Sequence, residues 1–328
     1  MLLGAVASVA LRLRAWTRRL TGVAMVFVAG LLFRYIDPGP VFLLLAAIAG
    51  AGFVVAVCTC RPRVQRAILG VGVTVAVAMT LMVAATSPRV GWFGRTISHG
   101  SRAVPTVALT FDDGPNRTAT LAVRDVLDRY GVKASFFLVG SAVDAAPDIA
   151  RALVDDGQLV GSHAYNHNSW DWLDPRYTEL DRSVAAMRDQ LGVCPAFLRP
   201  PHGYHTPFMT HHATTAGIRT VMWDTSAADW ATDDADLVAR RILQKVRPGS
   251  IILLHDGLDG DVTTDRTVVV RALPKILDGL AARGLRPVRL DELLGGPGYV
   301  TPCARAPVGA AAGRTALAPP PGGTPQGR

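Results

Sequence analysis

The chain has 328 residues, of which 49% are hydrophobic and 18% charged, with a mean hydropathy of +0.26 and a formal net charge of +8 at pH 7. So much apolar sequence argues against a wholly soluble protein and predicts that part of the chain lies in lipid. The charge argues little for nucleic acid, because the arginines form no stripe interleaved with aromatic residues, and several flank apolar segments as orientation signals do.

About three transmembrane helices are predicted in the first 87 residues. Two apolar runs match the roughly 20 residues that cross a bilayer, while a shorter first run follows several arginines and is also typical of a signal peptide. The alternative, that the runs are buried helices of a soluble protein, is disfavoured because such helices normally carry polar faces. The three runs are Leu20–Phe33, Val41–Cys60 and Ala67–Thr86.

Loop charges predict the orientation of these helices. Arg61–Arg66 is short and basic, whereas Arg34–Pro40 carries one positive and one negative charge. The positive-inside rule then predicts a multi-pass protein of the cell membrane, with a cytoplasmic N-terminus and everything after about Ser87 on the extracytoplasmic side. If the first run is not a span, two crossings remain and the C-terminal part is still outside.

A globular domain is predicted over residues 106–300, after a membrane region at 1–87 and a linker at 88–105. A Pro-, Gly- and Ala-rich tail at 301–328 is predicted to be disordered from about Ala304. In the domain, β-rich runs alternate with amphipathic stretches, and about seven such βα units favour a distorted or incomplete (β/α) barrel. The predicted strands are Val107–Phe111, Ala134–Val139, Leu159–Ser162, Ala196–Arg199, Thr220–Trp223, Ser250–His255 and Arg286–Arg289; the predicted helices are Thr118–Tyr130, Val143–Asp155, Pro175–Leu191, Ala235–Val246 and Thr267–Arg283.

Two polar clusters at strand ends predict a metal centre. Asp112 and Asp113 are adjacent at the end of the first strand, and two carboxylates held together need a cation nearby, although an Asp-Asp-Gly sequence can also be a solvated turn. His163 and His167 follow another strand at a spacing that can direct both rings at one ion. Two histidines and one aspartate form the open three-ligand set of a catalytic metal, which leaves the other aspartate as a base.

Three further clusters follow later strands. Arg199-Pro-Pro-His-Gly203 is a rigid turn that can aim an arginine and a backbone N–H inward, and Asp229-Trp230 lies beyond the next strand. His255 ends the strand Ile251 to His255 and is a candidate proton donor to a leaving amine, since histidine titrates near neutral pH.

In this order, the five clusters resemble the motifs of the polysaccharide deacetylase family, also called the NodB-homology domain or carbohydrate esterase family 4. The resemblance covers roughly Thr106 to Leu294 and leaves out the membrane region and the tail. It implies a distorted (β/α) barrel, a divalent metal ion, usually Zn²⁺ with Co²⁺ as the alternative, and hydrolysis of acetamido groups on sugars such as N-acetylglucosamine. The segments that carry it are Thr110–Pro115, His163–His167, Arg199–Gly203, Asp229–Trp230 and Leu253–His255.

The resemblance also divides the roles between the two aspartates, which the residues alone do not separate. It implies that Asp113, His163 and His167 bind the metal. Asp112 is then the general base, and Arg199 orients this carboxylate and keeps it ionised through a charge-assisted contact.

The remaining motif positions are implied to serve the leaving group and the substrate. His255 protonates the departing amine, and Asp229 raises the pKa of that histidine. The metal and the backbone N–H of His202 hold the oxyanion of the tetrahedral intermediate. Trp230 and Leu253 line the pocket for the acetyl methyl group.

Some assignments stay open at this point. The family more often has an aromatic residue, usually tyrosine, where this chain has His202, which puts substrate contact near the rim in doubt. Asp224 is an alternative to Asp229 as the partner of His255. Cys194 and Cys303 are either a disulfide or two buried thiols. Four histidines match no motif and are interpreted as surface or local polar residues: His99, His205, His211 and His212.

The predicted function is metal-dependent removal of N-acetyl groups from a cell-envelope polysaccharide, either peptidoglycan or a chitin-like polymer. One alternative is a metal hydrolase of a small amide or an O-acetyl ester, since the same chemistry attacks any accessible acyl carbon. The other is a non-catalytic polysaccharide-binding or assembly subunit. This second alternative is disfavoured because both the candidate base and the candidate acid are present.

Overall fold

The computed structural model describes residues 62–86 and 94–301. The predicted spans Leu20–Phe33 and Val41–Cys60 lie outside these residues, as does the tail after residue 301. The described residues contain nine α-helices, which are numbered from Pro62 onward. They are α1 Pro62–Thr86, α2 Thr120–Arg129, α3 Gly140–Ala145, α4 Pro147–Asp155, α5 Thr178–Leu191, α6 Pro207–Thr215, α7 Ala235–Lys245, α8 Thr267–Ala281 and α9 Leu290–Leu294.

Helix α1 is the one described helix long and apolar enough to cross a membrane, with 21 residues from Pro62 to Met82 at a mean hydropathy of 1.7. It contains the third predicted span, and it starts earlier than predicted because the basic segment from Pro62 to Arg66 is helical rather than a loop. Eight of its large apolar side chains, from Val64 to Met82, are exposed, whereas Ala84 and Ala85 near its end are buried. The helix suits a membrane span in length and composition.

The domain is built on a parallel sheet of nine strands, in the order β1-β6-β5-β4-β3-β2-β8-β7, with β9 also paired to β2. All strand ladders are parallel, as βα units require. The strands are β1 Thr96–Ile97, β2 Thr106–Asp112, β3 Ser135–Leu138, β4 Leu159–Ser162, β5 Phe197–Leu198, β6 Arg219–Val221, β7 Thr225–Ser226, β8 Ile251–His255 and β9 Arg286–Val288.

A short link shows that this sheet is strongly curved. Strands β6 and β7 lie six positions apart in the strand order, yet only residues 222–224 connect them. Six strand spacings measure about 29 Å in a flat sheet, whereas this link reaches about 14 Å when fully extended. The sheet must therefore curl toward closure, and because no ladder joins β1 to β7 within residues 94–301, it remains an open half-barrel.

Besides the short elements β7 and α9, which were not predicted, the structure differs from the predicted elements at three places. Strand β1 lies in the predicted linker 88–105 and pairs with β6, so this part of the linker belongs to the sheet. The predicted helix Val143–Asp155 is two helices that meet at Ala146, which precedes Pro147 and has φ −141°, since a residue before proline avoids the helical region. Helix α6 was not predicted, because its histidine- and threonine-rich sequence has no clear apolar face.

The alternation of side chains along the central strands separates the core from the site. On β2, Leu109 and Phe111 belong to the large apolar cluster between the sheet and the helices, together with Leu254 of β8. Successive side chains point to opposite faces of a strand. Thr110 and Asp112 therefore point into the half-barrel, which is where polar chemistry can collect.

Candidate active site

The site lies at the carboxyl ends of the strands, inside the half-barrel. The parallel register places Asp112 of β2 opposite His255 of β8, and Thr110 opposite Leu253 two pairs below. These four side chains share the inner face by the alternation of each strand. In a parallel barrel this edge is where active sites form, so the first and last motifs of the sequence are brought side by side.

Three of the predicted metal ligands converge on one point. Oδ1 of Asp113 lies 3.2 Å from Nε2 of His163 and 3.1 Å from Nε2 of His167. All three residues are buried, and their candidate ligand atoms lie within 4.8 Å of one another. The convergence of one carboxylate and two imidazoles is the ligand set of an open catalytic metal site.

The hydrogen bonds of this cluster fit a cation. Nδ1 of His163 lies 2.7 Å from the backbone oxygen of Arg199, which only accepts, so Nδ1 carries a proton and, in the neutral imidazole that binds metal, Nε2 turns a lone pair toward Asp113. Oδ1 of Asp113 is buried and has no hydrogen-bond partner among the described residues. Two facing lone pairs in a buried site are stabilised by a positive ion between them, so these residues suit a divalent metal.

The pKa shifts of Asp113 and His167 also favour a cation at this cluster. Burial on its own would raise the pKa of Asp113, but the imidazoles of His163 and His167 outweigh burial and hold the pKa well below its ordinary value. Burial likewise lowers the pKa of His167, and the carboxylate of Asp113 more than reverses this and raises the pKa. The pocket therefore favours a carboxylate with positive charge beside it.

Asp112 is held by a buried arginine. Nη1 of Arg199 donates to Oδ1 of Asp112 at 2.7 Å and to Oγ1 of Thr110 at 2.8 Å, while Nη2 donates to the backbone oxygen of Met222 at 3.2 Å. The guanidinium is fully buried and its carbon lies 4.2 Å from the ring centre of Phe137. Oδ2 of Asp112 faces the ligand cluster, 3.8 Å from Nε2 of His163. The arginine thus fixes one carboxylate oxygen and leaves the other toward the cleft.

His255 is held on the opposite wall by Asp229. Nδ1 of His255 lies 3.0 Å from Oδ1 of Asp229, and the backbone N–H of His255 donates to Oδ2 at 2.9 Å. Burial alone would lower the pKa of His255, but the carboxylate of Asp229 outweighs burial and raises the pKa to about 9. The alternative partner Asp224 is engaged elsewhere, since it accepts from Arg102 at 2.6 Å and from the backbone N–H of Ile251.

The predicted substrate contacts form the rim of this cleft. The ring of Trp230 packs edge-on against His255 at 5.0 Å and is 48% exposed, and Leu253 is buried on the inner face below. His202 has φ 57° and packs edge-on against His167 at 4.8 Å. Its backbone N–H donates to no acceptor within residues 94–301, so this donor remains available to a ligand.

Left-handed backbone conformations concentrate around the site. Of seven non-glycine residues with positive φ in the described chain, six lie in the loops that carry the motifs or directly beside a motif residue, and one does not. Such conformations cost about 1–3 kcal/mol each and persist where surrounding structure requires them. They turn the side chains away from the strand direction and toward the cleft. The six are Asp113, Ala164, His167, His202, Ala228 and Asp259.

Sequence analysis missed two residues of the loop between β8 and α8. Arg266 donates from Nη2 to Oδ2 of Asp229 at 2.8 Å and from Nε to the backbone oxygen of His255. The backbone N–H of Asp259 donates to Oδ2 of Asp113, and its Oδ1 lies 3.0 Å from Nδ1 of His167. Neither residue has a sequence signal, because an arginine or aspartate in a polar loop resembles ordinary surface residues.

Asp256 directly follows His255, and no role is predicted for it from the sequence. It is completely buried, accepts from Oγ1 of Thr120 at 2.5 Å, and burial raises its pKa to about 7. A Cβ at Gly114 would lie 2.5 Å from this carboxylate, and a Cβ at Gly257 would lie 2.2 Å from the backbone oxygen of Asp113. The two glycines therefore permit the close approach of the loops after β2 and β8.

The other open assignments are partly resolved. Cys194 is disulfide-bonded, and its partner lies outside the described residues. His99 and His212 make local polar contacts, with the backbone of Gly100 and the carboxylate of Asp181. His205 is completely buried and is a local polar residue rather than a surface one, with Nδ1 3.0 Å from the backbone oxygen of Gly203.

Comparison with known proteins identifies the family. A profile of the polysaccharide deacetylase family matches residues 99–221. The chain is 34% identical over 197 residues to a chitooligosaccharide deacetylase of Bradyrhizobium, in an alignment that covers 57% of this chain and 90% of that protein. The chain belongs to the polysaccharide deacetylase family.

Two further matches agree with this assignment. A peptidoglycan-N-acetylglucosamine deacetylase of Bacillus cereus is 33% identical over 197 residues, which is 57% of this chain and 87% of that protein. A solved peptidoglycan N-acetylglucosamine deacetylase superposes with a TM-score of 0.58 and 29% identity, covering 62% of this chain and 94% of that one. The family resemblance is confirmed, and the predicted distorted or incomplete (β/α) barrel is confirmed in part, as a parallel α/β half-barrel.

Proposed function

We propose that this polysaccharide deacetylase removes N-acetyl groups from an N-acetylglucosamine-containing polysaccharide of the cell envelope, peptidoglycan or a chitin-like polymer, in a metal-dependent reaction that releases acetate. One observation carries the proposal. A candidate base and a candidate acid, Asp112 and His255, lie opposite each other on paired strands, with the three converging ligand residues beside them. That pairing is what hydrolysis of an amide requires, because one proton must be taken and another given.

Asp113, His163 and His167 would hold the divalent ion, for which Zn²⁺ is the first candidate and Co²⁺ the second. Such an ion lowers the pKa of a water molecule and stabilises negative charge on an acyl oxygen. The tautomer of His163 fixed by the Arg199 backbone and the unpartnered Oδ1 of Asp113 both support this assignment.

The proton transfers follow from the two walls. Asp112 removes a proton from the attacking water through Oδ2, while Arg199 holds Oδ1 and so fixes the direction of the free oxygen. The new C–O bond forms a tetrahedral carbon, and the C–N bond then breaks. His255, protonated through Asp229, donates its proton to the departing nitrogen, so that acetate and a free amine leave.

Rim residues position the acetamido group. The backbone N–H of His202 donates to the oxygen of the tetrahedral intermediate, as a preformed donor should. Trp230 and Leu253 enclose the acetyl methyl group, because Trp230 packs against His255 at the rim and Leu253 lies two register pairs below His255 on the same face. A histidine at position 202 keeps this backbone donor while it alters the side chain that meets the sugar.

We further propose that the N-terminal region anchors the domain in the cell membrane, with the deacetylase domain on the extracytoplasmic side. The support is the exposed apolar helix α1 together with the arginine distribution of the sequence. An envelope polymer would then be within reach, whereas an intracellular amide would not.

The test is acetate release by the full chain, purified in detergent, from peptidoglycan, chitin oligomers, acetylated xylan and a small acetamide. Chelator should abolish release from the N-acetylglucosamine polymers, and added Zn²⁺ or Co²⁺ should restore it. Release from the small acetamide alone would instead identify a small-amide hydrolase. Metal binding without release from any substrate would identify a binding subunit.

A further inference from the structure

The most exposed large apolar side chains of the described domain lie together at one edge of the cleft. Trp170 is 71% exposed, Phe208 60% and Leu173 53%, whereas the next values in residues 94–301 are 49% for Val104 and 48% for Trp230. We call Trp170, Leu173 and Phe208 the apolar lip. Three large apolar side chains at one edge are more than a scatter of single exposed residues and indicate a partner.

The end of helix α1 contacts the domain at this same edge. The backbone N–H of His205 donates to the backbone oxygen of Ala85 at 2.8 Å, and both residues are buried. Oγ1 of Thr206, the next residue, donates to the backbone oxygen of Trp172 at 3.3 Å. These two contacts tie the lip segments around positions 172 and 207 to the end of α1.

The position of this contact along α1 sets the height of the lip relative to lipid. The candidate span in α1 runs from Pro62 to Met82, and the apolar run predicted from sequence extends to Thr86. Ala85 therefore lies at the end of the span, within about 4.5 Å of Met82 along the helix axis at a rise of about 1.5 Å per residue. If α1 crosses a bilayer, the lip is at the membrane surface, which is where exposed tryptophan and other large apolar side chains are favoured.

The lip also borders the opening to the metal ligands. Oγ of Ser169, next to Trp170, lies 3.1 Å from Nε2 of His202, and the ring of His202 packs against His167. A single layer of side chains therefore separates the lip from the ligand cluster. A lip seated on lipid would turn the opening of the cleft along the membrane surface rather than toward distant polymer.

We infer that the apolar lip rests on the outer surface of the lipid bilayer, and that the site takes N-acetylated saccharides held at that surface, such as a lipid-linked saccharide. This inference rests on the proposed function and on α1 as a span. A sugar chain could stack on the rings of Trp170 and Phe208 but not on the aliphatic Leu173, whereas lipid accounts for the exposure of all three side chains.

The experiment uses the full chain in vesicles of phosphatidylethanolamine and phosphatidylglycerol. Acetate release is measured from a soluble N-acetylglucosamine tetramer and from the same tetramer linked to a diacyl lipid in the vesicle. The variant Trp170→Ser/Leu173→Ser/Phe208→Ser is compared with the control Val104→Ser/Tyr130→Ser. Both control residues are exposed, Val104 just before the start of β2 and Tyr130 just after the end of α2.

We expect the lip variant to lose about tenfold or more in kcat/KM on the lipid-linked tetramer, since one large apolar side chain is worth about a tenfold change in partition. Its kcat/KM on the soluble tetramer should match that of the wild type, and the control should match on both substrates. Equal loss on both substrates would show that the lip contacts sugar, and no loss on either would show that it contacts neither; both results overturn the inference.

A second measurement keeps the two proposals separable. Lipids that carry a quencher near the headgroup should quench the part of the tryptophan emission that Trp170→Phe removes. If that part is not quenched, the lip does not contact lipid and the inference fails. If the wild type hydrolyses neither tetramer while quenching occurs, the proposed activity fails and the membrane contact stands.

Discussion

The β2 wall and the β8 wall of the cleft each contain a buried arginine–aspartate pair, but the two walls present different reactive groups to the cleft. On the β2 wall, Arg199 donates to one oxygen of Asp112 and the other oxygen faces the cleft. On the β8 wall, Arg266 and the backbone of His255 take Oδ2 of Asp229, and the imidazole of His255 takes Oδ1. A buried arginine–carboxylate pair thus presents a carboxylate on one wall and a protonated imidazole on the other.

The difference lies in what stands between the carboxylate and the cleft. Asp112 reaches the cleft directly, so an oxygen with a free lone pair is the reactive group. Asp229 is completely buried behind His255, and burial alone would raise its pKa, but His255 and Arg266 reverse this and lower the pKa. Its charge therefore acts through the histidine. This arrangement supports the proposed assignment of the base to the β2 wall and of the acid to the β8 wall.

The largest effect is expected on the β2 wall. Asp112→Asn keeps the shape of the side chain and removes the base, so kcat for acetate release should fall by about 10³ or more. Bound metal, measured by elemental analysis of the purified protein, should stay near the wild-type content because Asp112 is not a ligand. Asp113→Asn should instead lose the metal. If Asp112→Asn loses its metal and Asp113→Asn keeps it, the two aspartates have been assigned the wrong way round.

The next effect is on the β8 wall and is seen in the pH profile. The raised pKa of His255, about 9, keeps the acid protonated at neutral pH, and turnover should fall as pH rises through that value. Asp229→Asn removes the negative charge that raises the pKa. The alkaline limb of kcat against pH should then move down by on the order of one pH unit or more. An unmoved limb would mean that another group limits the rate at high pH.

Removal of Arg266 should act on the alkaline limb in the opposite direction from Asp229→Asn. Arg266→Gln takes away a cation beside Asp229, which then attracts the proton on His255 more strongly. The alkaline limb should stay in place or move upward, with less than about a tenfold loss of kcat at pH 7. Because one partner of a buried ion pair is lost, the free energy of unfolding should fall by about 3 kcal/mol, measured by denaturant titration. A downward shift of the limb would show that Arg266 does more than hold Asp229.

Much of the fold could be predicted from sequence because the central strands are long apolar runs between turns. Val107–Phe111 and Ser250–His255 were predicted within one residue of β2 and β8. Strands β1 and β7 could not be predicted, since each is two residues long and forms only where the curled sheet offers a partner. Local propensity carries no signal for such pairing.

In the site, too, some residues are recognisable from their sequence neighbours and others only from the tertiary structure. The ligand residues follow strand ends and are recognisable as clusters, and their convergence was predicted. The partner of His255 was left open between Asp229 and Asp224, because both precede β8 and only the tertiary structure shows that Arg102 engages Asp224. Asp259 and Arg266 reach the site from one loop after β8, and nothing in their sequence neighbourhood distinguishes them.

The smallest expected effect tests how firmly the β2 wall must hold its arginine. Thr110→Val replaces a hydroxyl that accepts from Arg199 and donates to the backbone oxygen of Ile252 at 2.6 Å, so one buried N–H of the guanidinium loses a partner. The free energy of unfolding should fall by about 1–3 kcal/mol. Turnover should fall only a few fold, because the contact between Arg199 and Asp112 itself remains.

The matched control is Thr110→Ser, which keeps the hydroxyl and should restore both stability and kcat/KM. In both variants the alkaline limb should stay where the wild type has it, because His255 and Asp229 lie on the other wall and do not contact Thr110 through any described hydrogen bond. If the limb moves in Thr110→Val, the two walls are coupled across the β2–β8 register, and acid and base cannot be treated as independently held groups.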